Sequence, residues 1–148
     1  MNLAAFAQKL LALPLFTRRE EITGKAEIIK WWELRRIPFN IAVGITGVFT
    51  CVVILIVATV SSSTFGESLG LPDPPGIAIF GIIGYGIVAN LCFTCGWVVE
   101  ILVRTIWQEK AGAFAQISFS VGLLFSILLT LVPAVFFVIV LAIRLILR

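Results

Sequence analysis

Three stretches of the chain are uncharged and almost wholly apolar, at residues 39–60, 77–99 and 113–143. None alternates in the manner of a strand, and none carries the polar face of a helix lying on a soluble core, so each reads as a helix apolar on every side. The first holds 22 residues, enough to cross a hydrocarbon core of about 30 Å at about 1.5 Å per residue. Pro38 precedes it, where a missing N–H costs a helix least. Ser61, Ser62, Ser63 and Thr64 follow and are expected to satisfy its last carbonyls or start a turn. Pro72, Pro74, Pro75 and Gly76 then separate it from the second stretch, so residues 61–76 read as a loop. The third stretch has 31 residues with Pro133 inside, which is about 46 Å of helix and suits one tilted, kinked span. Two spans there would need about 17 residues each plus a turn, which residues 112–148 can barely supply. The expected fold is therefore all-α and integral to a membrane, with three transmembrane helices and a four-span alternative.

Residues 1–37 differ in pattern and form a separate arm ahead of a transmembrane domain at 38–148. Leu3, Phe6, Ala7, Leu10 and Leu11 fall on one helical face opposite Gln8 and Lys9, the pattern of an amphipathic helix lying in the membrane interface. A cleaved signal peptide is the rival reading, but no basic segment precedes the apolar run. Thr17–Glu20 fits a capping box, Gly24 interrupts the arm, and a second short helix is expected from Lys25 to Arg36. Trp31 and Trp32 are expected at headgroup level, where ring and N–H are both satisfied, with Arg35 and Arg36 reaching lipid phosphates. Trp107, in the charged segment 100–110, is expected to anchor in the same way, and Glu100 to sit solvated at the membrane edge.

Composition sharpens this picture. Of 148 residues, 60% are hydrophobic and 13% charged, against about 25% charged in soluble domains. A soluble fold of this size would expose apolar patches far beyond the few hundred Å² that monomers tolerate. The formal charge is +3, but the charges cluster beside apolar spans, which points to membrane orientation and anionic lipid and not to nucleic acid. Lys9, Arg18, Arg19, Lys25, Lys30, Arg35 and Arg36 precede the first span, the first loop has no basic residue, and the segment 100–110 has Arg104 and Lys110. The positive-inside rule then places the N-terminus and that segment in the cytoplasm. Arg144 and Arg148 fall outside in a three-span chain and inside in a four-span chain.

The segment Ile29-Lys30-Trp31-Trp32-Glu33-Leu34-Arg35-Arg36, followed by Pro38-Phe39-Asn40, resembles a juxtamembrane pattern of uncharacterised small bacterial membrane proteins. The resemblance covers about a dozen residues and implies a bacterial inner-membrane protein and no activity. An aromatic and basic anchor accounts for the same residues without it.

Candidate chemistry is sparse. Ile82-Ile83-Gly84-Tyr85-Gly86 is similar to the potassium-channel filter T-V-G-Y-G, which needs a non-helical loop with carbonyls lining a pore; Ile82 replaces its Thr and apolar residues follow, so a helix interior is the better reading. Gly84–Ala89 also fits the loose dinucleotide fingerprint, without the strand that must precede it. Cys92 and Cys95 form a C-x-x-C, but the chain has no His and no second Cys pair to complete a metal site. No cofactor, metal or catalytic residue is expected. Gly81, Gly84, Cys92 and Cys95 fall near one stripe of the second span, and Gly44 and Gly47 offer small side chains in the first. Small residues let helices approach closely in lipid, within the chain or against another subunit. Asn90, the one strongly polar side chain deep in a span, is expected to face another helix. These features suggest a non-catalytic subunit or scaffold that packs with itself as a homo-oligomer or with a larger membrane complex. The alternative is an oligomeric pore lined by Thr46, Thr50, Asn90, Thr94, Ser118, Ser126 and Thr130. The three spans also resemble those of holins, which carry a charged C-terminal tail where this chain is charged N-terminally.

Overall fold

The computed structural model describes residues 24–66, 75–107 and 114–147. The expected interfacial helix near residues 2–13, the capping box at Thr17 and the charged pair Glu109-Lys110 lie outside them. The described residues form three helices and no strand: α1 Lys25–Phe65, α2 Pro75–Trp107 and α3 Phe114–Ile146. All three are long and apolar enough to cross a membrane, and in their most apolar stretches only 11%, 11% and 6% is buried within the protein. So much outward apolar surface needs lipid as its solvent. This is the architecture of a multi-pass membrane protein with three spans.

Local chemistry sets the helix ends. The Gly24 carbonyl accepts from the Glu27 and Ile28 amides at 3.1 and 3.4 Å, and Glu27 places negative charge in the first turn, where the helix dipole favours it. α1 stops at Gly66, whose φ of 70° suits glycine, and whose N–H closes on the Ser62 carbonyl at 3.0 Å as a left-handed cap. The serine run therefore lies inside the helix; Ser62 and Ser63 donate to the carbonyls of Thr59 and Val60, each at 3.0 Å. Pro75 opens α2 at the position where proline is best tolerated. α2 continues to Trp107, carrying Glu100 and Arg104 on the same helix as the span.

Two prolines sit in helix interiors. α1 passes through Pro38 without a break, although residue 37 is where the sequence pattern separates arm from span. An interior proline costs a helix about 3 kcal/mol. Here Trp32, before Pro38, and Phe39, after it, both pack on Phe93 with ring centroids 5.4 and 4.9 Å away, so tertiary contact on both sides holds the helix through. Pro133 lies inside α3, which is one helix of 33 residues and leaves no turn for a fourth span.

The chain packs as two compact units, and each helix contributes a stretch to both. One comprises residues up to Phe39 together with Asn90–Leu124; its buried side chains are mostly large, Ile28, Trp31, Trp32, Phe39, Phe93 and Phe119 among them, with the small Ala115 also buried. The other comprises Asn40–Ala89 and the residues from Phe125. Its buried side chains are Thr50, Val57, Ser61, Ala89 and Ala134, small residues that let helix backbones come close where lipid supplies no hydrophobic force.

Candidate functional site

The most concentrated chemistry lies in the first unit, at Glu100. Phe93, Gly96, Glu100 and Arg104 recur at three- and four-residue intervals on α2 and share a face. Trp32 of α1 lies flat in the notch that Gly96 leaves: a Cβ there would stand 2.6 Å from Trp32 Cη2 and Cζ3. That placement brings Trp32 Nε1 to 2.7 Å from Glu100 Oε2, to which it donates. Arg104, one turn further along α2, donates from Nε to Glu100 Oε1 at 2.8 Å. Glu100 is 0% exposed. A carboxylate taken out of water is costly unless paired and hydrogen-bonded, and here each oxygen receives a donor. Glu100 is thus enclosed by protein, not solvated at the membrane edge; the partners that make this tolerable are Trp32 and Arg104.

An aromatic cluster surrounds the pair. Trp32 meets Trp31, Phe93 and Phe119 edge-on at centroid separations of 5.4, 5.4 and 6.2 Å, and Phe93 meets Phe119 at 6.3 Å. Such contacts each contribute about 0.5–1.5 kcal/mol beyond area burial. Trp31 and Trp32 are only 8% and 3% exposed, so these rings pack inside the protein and not among lipid headgroups. The reason is periodicity: Ile28, Trp31, Trp32, Arg35 and Phe39 make one helical stripe, and that stripe is the buried one. Arg35 follows it inward. Its guanidinium stacks on the Trp31 ring, 3.8 Å from the centroid, and donates to the Trp31 carbonyl at 3.1 Å. Arg36 is half-buried; Nη2 donates to Glu33 at 2.7 Å and to Thr94 Oγ1 at 3.0 Å, and its guanidinium lies 5.3 Å from the Phe93 centroid. Trp107 is 60% exposed at the end of α2.

A second polar node lies in the other unit. Tyr85 OH is 2.7 Å from Thr130 Oγ1 and donates toward the Ser126 carbonyl at 3.0 Å; Thr130 Oγ1 donates to the same carbonyl at 2.7 Å. Thr50 of α1 donates to the Thr130 carbonyl at 2.9 Å. Residues 82–86 are helical, so the filter-like motif supplies a tyrosine hydroxyl to α3 and not a row of carbonyls to a pore. Neither Glu100 nor Tyr85 stands out in the sequence as a packing residue. The available signals were a carboxylate just past an apolar span with Gly96 four residues before it, and a lone tyrosine among small residues.

The small residues divide. Gly47 is half-buried, and a Cβ there would touch Thr130 Cγ2 at 3.9 Å, so it serves packing within the chain. Gly44, Gly81 and Gly84 have nothing within 4 Å of an added Cβ. Cys51, Cys92 and Cys95 are free thiols on the exposed surface. Asn90 is half-buried, and its backbone carbonyl accepts from Thr94 at 2.9 Å. Among the described residues no group of three His, Cys, Asp or Glu side chains is placed to hold a metal ion. No protein-family model matches the chain, and neither curated proteins nor solved structures give a match.

Proposed function

We propose that the chain is a non-catalytic component of the bacterial inner membrane, N-terminus in the cytoplasm, that packs with itself or with a larger membrane complex. The observation that carries this reading is the exposure of Gly44, Gly81, Cys92 and Cys95, together with the open space beside Gly44, Gly81 and the half-buried Gly84, where an added Cβ would meet nothing. Glycine inside a helix costs about 1 kcal/mol against alanine, and close approach of another helix is the usual compensation in lipid. The polar groups support the same reading, because they are engaged within the chain. Glu100 is held by Trp32 and Arg104. The hydroxyls of Thr46, Thr50, Thr94 and Thr130 all donate to backbone carbonyls, which favours a packed component over a pore lined by these threonines. The seven basic residues ahead of Phe39 support the orientation.

The test is purification in mild detergent, with mass determined by light scattering and crosslinking through the native thiols. A dimer, a higher oligomer or a co-purifying subunit, crosslinked through Cys92 or Cys95 and weakened by Gly81→Leu, is the expected result. A strictly monomeric protein with no crosslink and no partner overturns the proposal.

A further inference from the structure

The second polar node has an asymmetry that bears on motion. Pro133 carries no N–H, so the Leu129 carbonyl loses its helical partner and the turn ahead of the proline is weakened. In lipid such freed groups must be satisfied by neighbouring helices or hydroxyl side chains. Side-chain donors gather on two neighbouring carbonyls of that turn, those of Ser126 and Thr130. Thr50 from α1 donates to the Thr130 carbonyl, and Tyr85 from α2 and Thr130 itself converge on the Ser126 carbonyl. The turn before Pro133 is thereby tied to both other helices. Beyond it lies the stretch 134–146, with Ala134 buried and Phe137, Val140, Leu141 and Arg144 half-buried. That stretch makes no hydrogen bond or ion pair to another helix among the described residues, and its aromatic contact, Phe136 with Phe137, is local.

We infer that α3 is a clamped hinge: residues 126–130 are held by Thr50 and Tyr85, and residues 134–146 form an arm that pivots at Pro133. Three features are each needed. The proline supplies the weak point, the hydroxyls fix the near side, and the lack of interhelical hydrogen bonds leaves the far side able to tilt. The two hydroxyl protons of Tyr85 and Thr130 serve three short contacts, so the clamp keeps a donor on the Ser126 carbonyl in either proton arrangement. The arm ends with Arg144, a charge at its far end.

Spin-label distances in lipid nanodiscs test this on the full chain. In a background with Cys51, Cys92 and Cys95 replaced by alanine, exposed sites are labelled as the pair Val48–Ile139, which reports the arm, and the pair Leu55–Phe125, which reports the clamped side. The arm pair gives the broader distance distribution, Pro133→Ala narrows it to the width of the clamped pair, and Thr50→Val with Tyr85→Phe broadens the clamped pair. Equal widths for the two pairs without further substitution, or an arm distribution unchanged by Pro133→Ala, overturns the hinge. The comparison of the two pairs needs no destabilising variant, so a folding defect in the hydroxyl mutants leaves the test intact.

Discussion

Gly96→Ala is a sharp perturbation of the Glu100 site, because a single methyl group is asked to occupy the space of a buried indole. Carbon atoms in contact lie about 3.5–4.0 Å apart, while the added Cβ would stand 2.6 Å from two ring carbons of Trp32 and 3.2 Å from a third. The ring has little room to retreat. Trp32 is bordered by Trp31, Phe93 and Phe119, and its Nε1 is tied to Glu100 at 2.7 Å. Overpacking a core costs about 1–3 kcal/mol, and lengthening a hydrogen bond to a charged group forfeits up to about 1.5–3 kcal/mol. Alanine returns about 1 kcal/mol in helix propensity. The net expectation is a loss of about 2–4 kcal/mol. Reversible unfolding by sodium dodecyl sulfate in mixed micelles, followed by circular dichroism, measures it. Gly84→Ala is the control: nothing lies within 4 Å of its added Cβ, and it should leave monomer stability unchanged or raise it by up to about 1 kcal/mol. In a Trp32→Leu background the cost of Gly96→Ala should largely vanish. Equal stabilities for the Gly96 and Gly84 variants, or an undiminished cost without the indole, would refute the reasoning.

Arg104→Leu removes the cation paired with a buried carboxylate and should cost about 3–5 kcal/mol, whereas Glu100→Leu with Arg104→Leu removes both charges and should recover most of that loss; the same unfolding assay ranks them. Tyr85→Phe and Thr130→Val each leave one hydroxyl donor for the Ser126 carbonyl, so each alone should cost about 0.6 kcal/mol. Together they should cost more than the sum, as a double-mutant cycle reports. Phe93→Ala empties the centre of the aromatic cluster and should cost about 3–5 kcal/mol. Phe136→Ala should change little, because Phe136 is exposed and its ring contact is a neighbour in sequence.

The long apolar runs make the three helices legible from sequence, because lipid-facing helices need no polar stripe and only their length has to match the membrane. The start of α2 was legible from the proline run that ends at Pro75, whereas the end of α1 was not: the serine run reads as a loop, yet the helix continues through it to Phe65 and stops at Gly66. Pro38 misleads, since local preference sets it at a helix start while aromatic packing on both sides carries α1 through it. Trp31 and Trp32 mislead for a related reason. Tryptophan beside a span satisfies headgroup chemistry equally well, and nothing local distinguishes that from a buried ring whose N–H meets a carboxylate 68 positions away. Glu100 and Tyr85 depend on partners from other helices, which periodicity in one helix does not reveal. The small-residue stripe was legible in the sequence, but that its glycines have no intrachain neighbour became visible only once the buried faces were known.

The three-crossing architecture, with the N-terminus proposed to lie in the cytoplasm, is tested most directly by paired reporter fusions after Arg148, expressed in a bacterial host. An odd number of crossings carries this end to the far side of the inner membrane, so an alkaline phosphatase fusion should be active and a green fluorescent protein fusion dark. A fluorescent protein fusion that glows there, with an inactive phosphatase counterpart, would contradict the account.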